Sequence, residues 1–145
     1  MSQIHQLSLS LYSSSRLLIQ LMQSELGGLG LTYPQYLVMA VLWEKDSLKV
    51  NEIGSRLYLD SGTLTPLLKK LERMNYVRRS RNEADERTVI IELTYPGKSL
   101  ESKVEALIQS LDRKIADFTG LNVDKLNQSL QHLLVEIESL KNTDK

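Results

Sequence analysis

The run Leu57-Tyr-Leu-Asp-Ser-Gly-Thr-Leu-Thr-Pro-Leu-Leu-Lys-Lys-Leu-Glu72 and the arginine-rich stretch behind it constrain the fold more than any other part of the chain. Asp60, Ser61, Thr63 and Thr65 gather short hydrogen-bonding side chains at the front of this run, where the first N–H groups of a helix lack intrahelical partners. Leu64, Leu67, Leu68 and Leu71 follow at helical spacing and predict a buried stripe, leaving Lys69, Lys70 and Arg73 toward solvent. Pro66 suits the first turn if the cap is as late as Thr63; a cap at Asp60 or Ser61 places it inside the helix and predicts a local kink. Tyr76–Arg81 and the β-branched Thr88–Leu93 then predict two pairing strands joined by the polar link of residues 82–87.

One face of such a helix packs while the other can read a DNA groove. The hairpin beside it can project Arg87 into a minor groove, where narrow A·T tracts concentrate negative potential. Between Leu67 and Asn82 six basic residues (Lys69, Lys70, Arg73, Arg78, Arg79, Arg81) meet one acid, Glu72, although the whole chain is neutral. Charge is thus localised where a groove reader would sit. These features predict DNA contacts from Asp60, Ser61, Thr63, Thr65, Lys69, Lys70, Arg79, Arg81 and Arg87.

The flanking segments are helical. Ile4, Leu7, Leu11, Leu18, Leu21 and Met22 give an apolar side to a helix from Ile4 to about Leu26, closed by Gly27 to Gly30. Pro34 starts a second helix reaching Trp43, residues 46–49 read as a loop, and a short helix runs from Val50 to Tyr58. Leu100, Val104, Leu107, Ile108, Leu111, Ile115 and Phe118 stripe a penultimate helix, and Leu126, Leu130, Leu133, Leu134, Ile137 and Leu140 stripe the last one, with Gly120 and Asn122 between them. A small winged lobe cannot cover these stripes, so they predict an antiparallel pair completed by a second subunit. A two-fold dimer sets two reading helices about one DNA turn, roughly 34 Å, apart. The expected class is mainly α with a small β-hairpin wing (α+β): a winged helix-turn-helix lobe over residues 33–97, with residues 1–30 and 98–145 as the dimerisation region of one 145-residue domain.

Composition narrows the rest. With 145 residues, 41% of them hydrophobic, the chain can build a core. No apolar run approaches the ~20 residues of a membrane span and the N-terminus lacks a signal-peptide pattern, which predicts a cytoplasmic protein without membrane contact. There is no cysteine, hence no disulfide or thiolate metal site; His5 and His132 stand alone, and neither a metal nor a cofactor is expected. Gly27-Gly-Leu-Gly30 lacks the preceding strand and third glycine of a dinucleotide loop. No nucleophile–base arrangement suggests an enzyme.

Tyr33-Pro-Gln-Tyr36, Val41-Leu-Trp-Glu44, the run from Leu57 to Glu72 and Asp85-Glu-Arg87, in that order, resemble the MarR family of bacterial transcription regulators, and within it the organic-hydroperoxide-resistance (OhrR) branch. The resemblance extends from about Leu7 to Gly97 and implies a homodimeric repressor that holds a pseudo-palindromic double-stranded operator and releases it on oxidation. It further implies that Arg87 enters the minor groove and Asp85 steadies it. The family's sensing cysteine lies in a first-helix run matched by Leu7-Ser-Leu-Ser-Leu-Tyr-Ser-Ser-Ser-Arg16, which puts Ser8 at its place. The implied pocket keeps Tyr12 and Tyr33 of the partner subunit, whereas a third tyrosine is replaced by Met22.

A thiolate attacks a peroxide oxygen and becomes a sulfenic acid, which a serine hydroxyl does not do near neutral pH. Two origins fit Ser8: a deliberate Cys→Ser replacement that mimics the reduced state, or a natural member without the sensor. An organic hydroperoxide and a small phenolic ligand both remain candidate signals, and methionine oxidation at Met22 or Met39 is a third route. Each residue also has a plainer role: Ser61, Thr63 and Thr65 as capping residues, Asp85 and Arg87 as a surface ion pair, Arg78–Arg81 as a solvated strand edge. A winged-helix protein-interaction module that binds no DNA is the alternative function.

Overall fold

The computed structural model describes the backbone of residues 1–145 and the side chains of all but Asn82, Glu86, Phe118 and Thr119. The expectations for the side chains of Phe118 in an apolar stripe, and of Asn82 and Glu86 in the hairpin link, lie outside the described residues. The chain divides into two units, residues 1–108 and 109–145.

In the first unit Ser2 caps helix α1 (Gln3–Leu26), its hydroxyl accepting the His5 N–H at 3.2 Å. Gly27 does not close α1 in the left-handed conformation; the chain runs on into a 3-10 turn over Gly27–Leu29, and Gly30 takes the left-handed φ of 73°. Thr32 then opens α2 (Tyr33–Glu44) with a reciprocal cap: the Thr32 hydroxyl accepts from the Gln35 N–H while the Gln35 amide oxygen accepts from the Thr32 N–H. Gln23 ties the two helices together, donating to the Leu31 carbonyl and accepting from the Tyr33 N–H at 2.7 Å.

The segment expected to be a loop before the next helix holds a strand instead. β1 (Leu48–Lys49) pairs antiparallel with β3 (Asp85–Leu93), setting Leu48 opposite Ile91 and Lys49 opposite Ile90. The sheet therefore has three strands in the order β1-β3-β2, with β2 spanning Val77–Asn82. Two residues carry no readable alternation, and only pairing with β3 makes them a strand. β2 and β3 run from Val77 opposite Leu93 to Arg81 opposite Val89; the register then shifts so that Asn82 faces Asp85, and the expected six-residue link contracts to a turn at Glu83 and Ala84.

α3 (Val50–Leu57) ends at Tyr58, whose φ of 55° is left-handed. The Leu59 N–H donates back to the Gly54 carbonyl at 3.0 Å, and a Cβ on Gly54 would come within 2.8 Å of the Leu59 oxygen, so this turn tolerates only glycine there. α4 (Ser61–Arg73) starts directly afterwards under an Asp60 cap. The early cap places Pro66 inside the helix, where it leaves the Gly62 carbonyl without its i+4 amide donor.

Leu64, Leu68 and Leu71 of α4 are buried with Val38, Met39 and Leu42 of α2, Ile53 of α3, and Leu48, Val77 and Ile91 of the sheet. Helix α5 (Tyr95–Thr119) contributes Leu100 and Val104 to the same core. In the second unit Asn122 caps α6 (Val123–Thr143), accepting the Lys125 N–H at 2.9 Å, and none of the described residues of α6 is buried. Among the described residues no helix is long and apolar enough to cross a membrane.

Candidate nucleic-acid interface

The front of α4 is built by its cap. The Asp60 carboxylate accepts the Thr63 N–H at 2.7 Å, and this backbone bond, with a second from the Thr63 side chain, holds its pKa below the ordinary carboxylate value. Asp60 thus satisfies a helix terminus, and Ser61 and Thr63 are left exposed beside it while Thr65 is half-buried. Lys69 and Lys70 are exposed on the same helix whose leucines enter the core. Packing fixes one face of α4 and presents the other.

The wing is organised by Asp85. One of its oxygens accepts the Arg87 N–H at 3.0 Å and the other accepts the Thr88 hydroxyl at 3.0 Å, which shapes the backbone at the register shift and leaves the Arg87 side chain exposed. The local charge differs from the count made along the sequence. Arg78 pairs with Glu92 at 2.8 Å and Arg79 with Glu72 at 3.2 Å, so strand pairing and helix packing bring carboxylates to these cations. Arg81 is exposed on the same strand.

Two clefts flank these elements. One, of about 340 Å³, lies between the start of α3 and the wing and is lined by Lys49, Val50, Asn51, Arg87, Thr88 and Val89. The other, of about 350 Å³, lies between α2 and α5 over Tyr36, Trp43, Val104 and Ile108, with Glu44, Glu101 and Glu105 around it.

Of the residues assigned to a sensor pocket, Ser8 and Tyr12 lie exposed on α1, with Tyr12 65% exposed. Tyr33 stands half-buried at the start of α2, its ring centre 6.0 Å from that of Tyr36, and burial raises its hydroxyl pKa. Ile4, Leu7, Leu18 and Leu21 of α1 are exposed as well, as are Leu126, Leu134, Ile137 and Leu140 of α6. Lys49 and Asn51 were missed by the sequence reading, because the pairing of β1 with β3 that brings them beside the wing leaves no local pattern.

Residues 20–107 match the transcriptional regulator SarA/Rot family. This chain belongs to that family of MarR-like, DNA-binding transcriptional regulators. Its relatives are regulators and not enzymes. It is 41% identical over 133 residues to the organic hydroperoxide resistance transcriptional regulator of Bacillus subtilis, covering 90% of this chain and 88% of that protein. It is 45% identical over 128 residues to the HTH-type transcriptional regulator TtmR of Methylorubrum extorquens, covering 88% of this chain but only 64% of TtmR's length. The crystal structure of AbfR of Staphylococcus epidermidis superposes with a TM-score of 0.82 at 36% identity, covering 94% of this chain and 93% of AbfR. Reduced AbfR bound to DNA superposes with a TM-score of 0.71 at 40% identity, covering 90% and 94%. The mainly helical fold with a small antiparallel wing is that of the family, as the sequence implied.

Proposed function

We propose that this SarA/Rot-family regulator acts in the cytoplasm as a homodimeric repressor that binds a pseudo-palindromic operator of an organic-peroxide or oxidative-stress resistance gene, with Ser8 where relatives of the OhrR branch carry the sensing cysteine. The observation that carries the reading is the pairing of an exposed polar α4 front, Ser61 and Thr63, with a wing that presents an exposed Arg87. In this reading α4 enters the major groove, Lys69, Lys70 and Arg81 meet phosphates, and Arg87 enters the minor groove. Dimerisation through residues 1–30 and 98–145 covers the apolar faces that α1 and α6 leave exposed. The winged lobe of residues 33–97 is then the unit whose spacing the dimer sets.

The 41% identity to the organic hydroperoxide resistance regulator of Bacillus subtilis supports an operator of the organic-peroxide type. Ser8, Tyr12 and Tyr33 of the partner subunit form the pocket through which a modification at position 8 would rotate the lobes out of register with the grooves.

The test uses DNA from upstream of the protein's own gene. Arg87→Ala should weaken specific binding by about 1–3 kcal/mol. An organic hydroperoxide should leave the wild type bound and release Ser8→Cys once its sulfenic acid has formed. Unchanged affinity of Arg87→Ala removes the wing from the interface, and a sulfenylated Ser8→Cys that stays bound breaks the link between pocket and lobes.

A further inference from the structure

The pairing of β1 with β3 puts Lys49 into the neighbourhood of the wing. Lys49 stands opposite Ile90, three residues along β3 from Arg87. The side chains of Lys49 and Arg87 are both exposed and both line the cleft of about 340 Å³ described above, with Asn51 and Thr88 as its further polar walls and Val50 and Val89 as its apolar ones. Among the described residues, Asp85 accepts from the Arg87 N–H and the Thr88 hydroxyl, and Glu52 accepts from the Lys49 N–H at 2.9 Å.

We propose that this cleft seats a phosphate of the DNA backbone flanking the minor groove that Arg87 enters, with the Lys49 ammonium and the Asn51 amide as its contacts. The inference rests on the proposed operator binding and adds to it a phosphate contact beside the wing. An ammonium on a flexible stem is a point charge that holds phosphate without reading bases. Lys49 therefore positions the wing, and Arg87 supplies the preference for sequence.

The experiment measures binding to the operator and to a scrambled duplex across a salt series for the wild type, Lys49→Gln, Lys49→Arg and Arg87→Ala. Lys49→Gln should weaken binding to both duplexes by the same factor, leave their ratio unchanged and reduce the slope of log K against log salt by about 0.9. Lys49→Arg should restore the slope, and Arg87→Ala should lower the ratio. A wild-type slope in Lys49→Gln, with the ratio still lost in Arg87→Ala, overturns the phosphate clamp while operator binding stands. A wild type that does not distinguish the two duplexes overturns both.

Discussion

At the scale of single residues, Asp60 and Asp85 both accept backbone N–H groups, one at the front of α4 and one in the wing. Asp60 makes a pH-dependent contribution whose sign follows from its lowered pKa. Its charged form is favoured in the folded state, so the contribution is fully present above the unfolded value of ~3.9 and is lost as pH falls through the folded pKa. In urea unfolding, the stability gap between wild type and Asp60→Asn should be constant above about pH 5 and shrink as the solution is acidified further. A gap that holds its size down to about pH 2 would show that the Asp60 charge plays no part. Tyr33 shifts the other way: burial favours its neutral hydroxyl, so its contribution is complete below the unfolded value of ~10 and declines as pH rises through the folded pKa.

Residue types at the α4 front were legible because capping chemistry is local; Asp60, Ser61 and Thr63 stand where short polar side chains serve a helix start. The partners of the arginines were not. Glu72 and Glu92 lie 7 and 14 positions away from Arg79 and Arg78, and only the meeting of α4, β2 and β3 brings them together.

Elements with a periodic apolar face were read nearly to their ends, as α1, α2 and α4 show. β1 was not, since two residues become a strand only by virtue of their partner, and the short hairpin turn was hidden by a register shift that no composition marks. The joint between the sheet and α5 was likewise invisible. There the Trp43 indole N–H donates to the Gly97 carbonyl at 2.9 Å, the Gly97 N–H donates to the Thr94 hydroxyl, and that hydroxyl donates to the Asn75 carbonyl at 2.6 Å. A Cβ at Gly97 would fall on the Tyr76 carbonyl oxygen, which is backbone and cannot move aside cheaply. Gly97→Ala should therefore destabilise the protein by about 1–3 kcal/mol in chemical denaturation, as overpacking does. Wild-type stability in that variant would mean that the end of β3 and the start of α5 have slack the structure does not show.

At the scale of the whole molecule, a neutral chain binds a polyanion by where its charges lie rather than by their sum. Lys69, Lys70, Arg81 and Arg87 are exposed on α4 and the wing, while α1 and α6 carry most of the large apolar residues left uncovered among the described residues. The family-level fold could be read from four separated motifs, because a reading helix and a wing need particular residue types at fixed positions. Assembly could be read only as a surplus of apolar surface, since a stripe does not name what covers it.

The most direct test of operator binding by a dimer is fluorescence anisotropy of the wild-type protein, at one fixed salt concentration, on its own upstream DNA and on a scrambled duplex of equal length. The account predicts saturation at two protomers per operator and an affinity at least ~10³-fold tighter than for the scrambled duplex. Equal affinity for the two, or saturation by a single protomer, would contradict it.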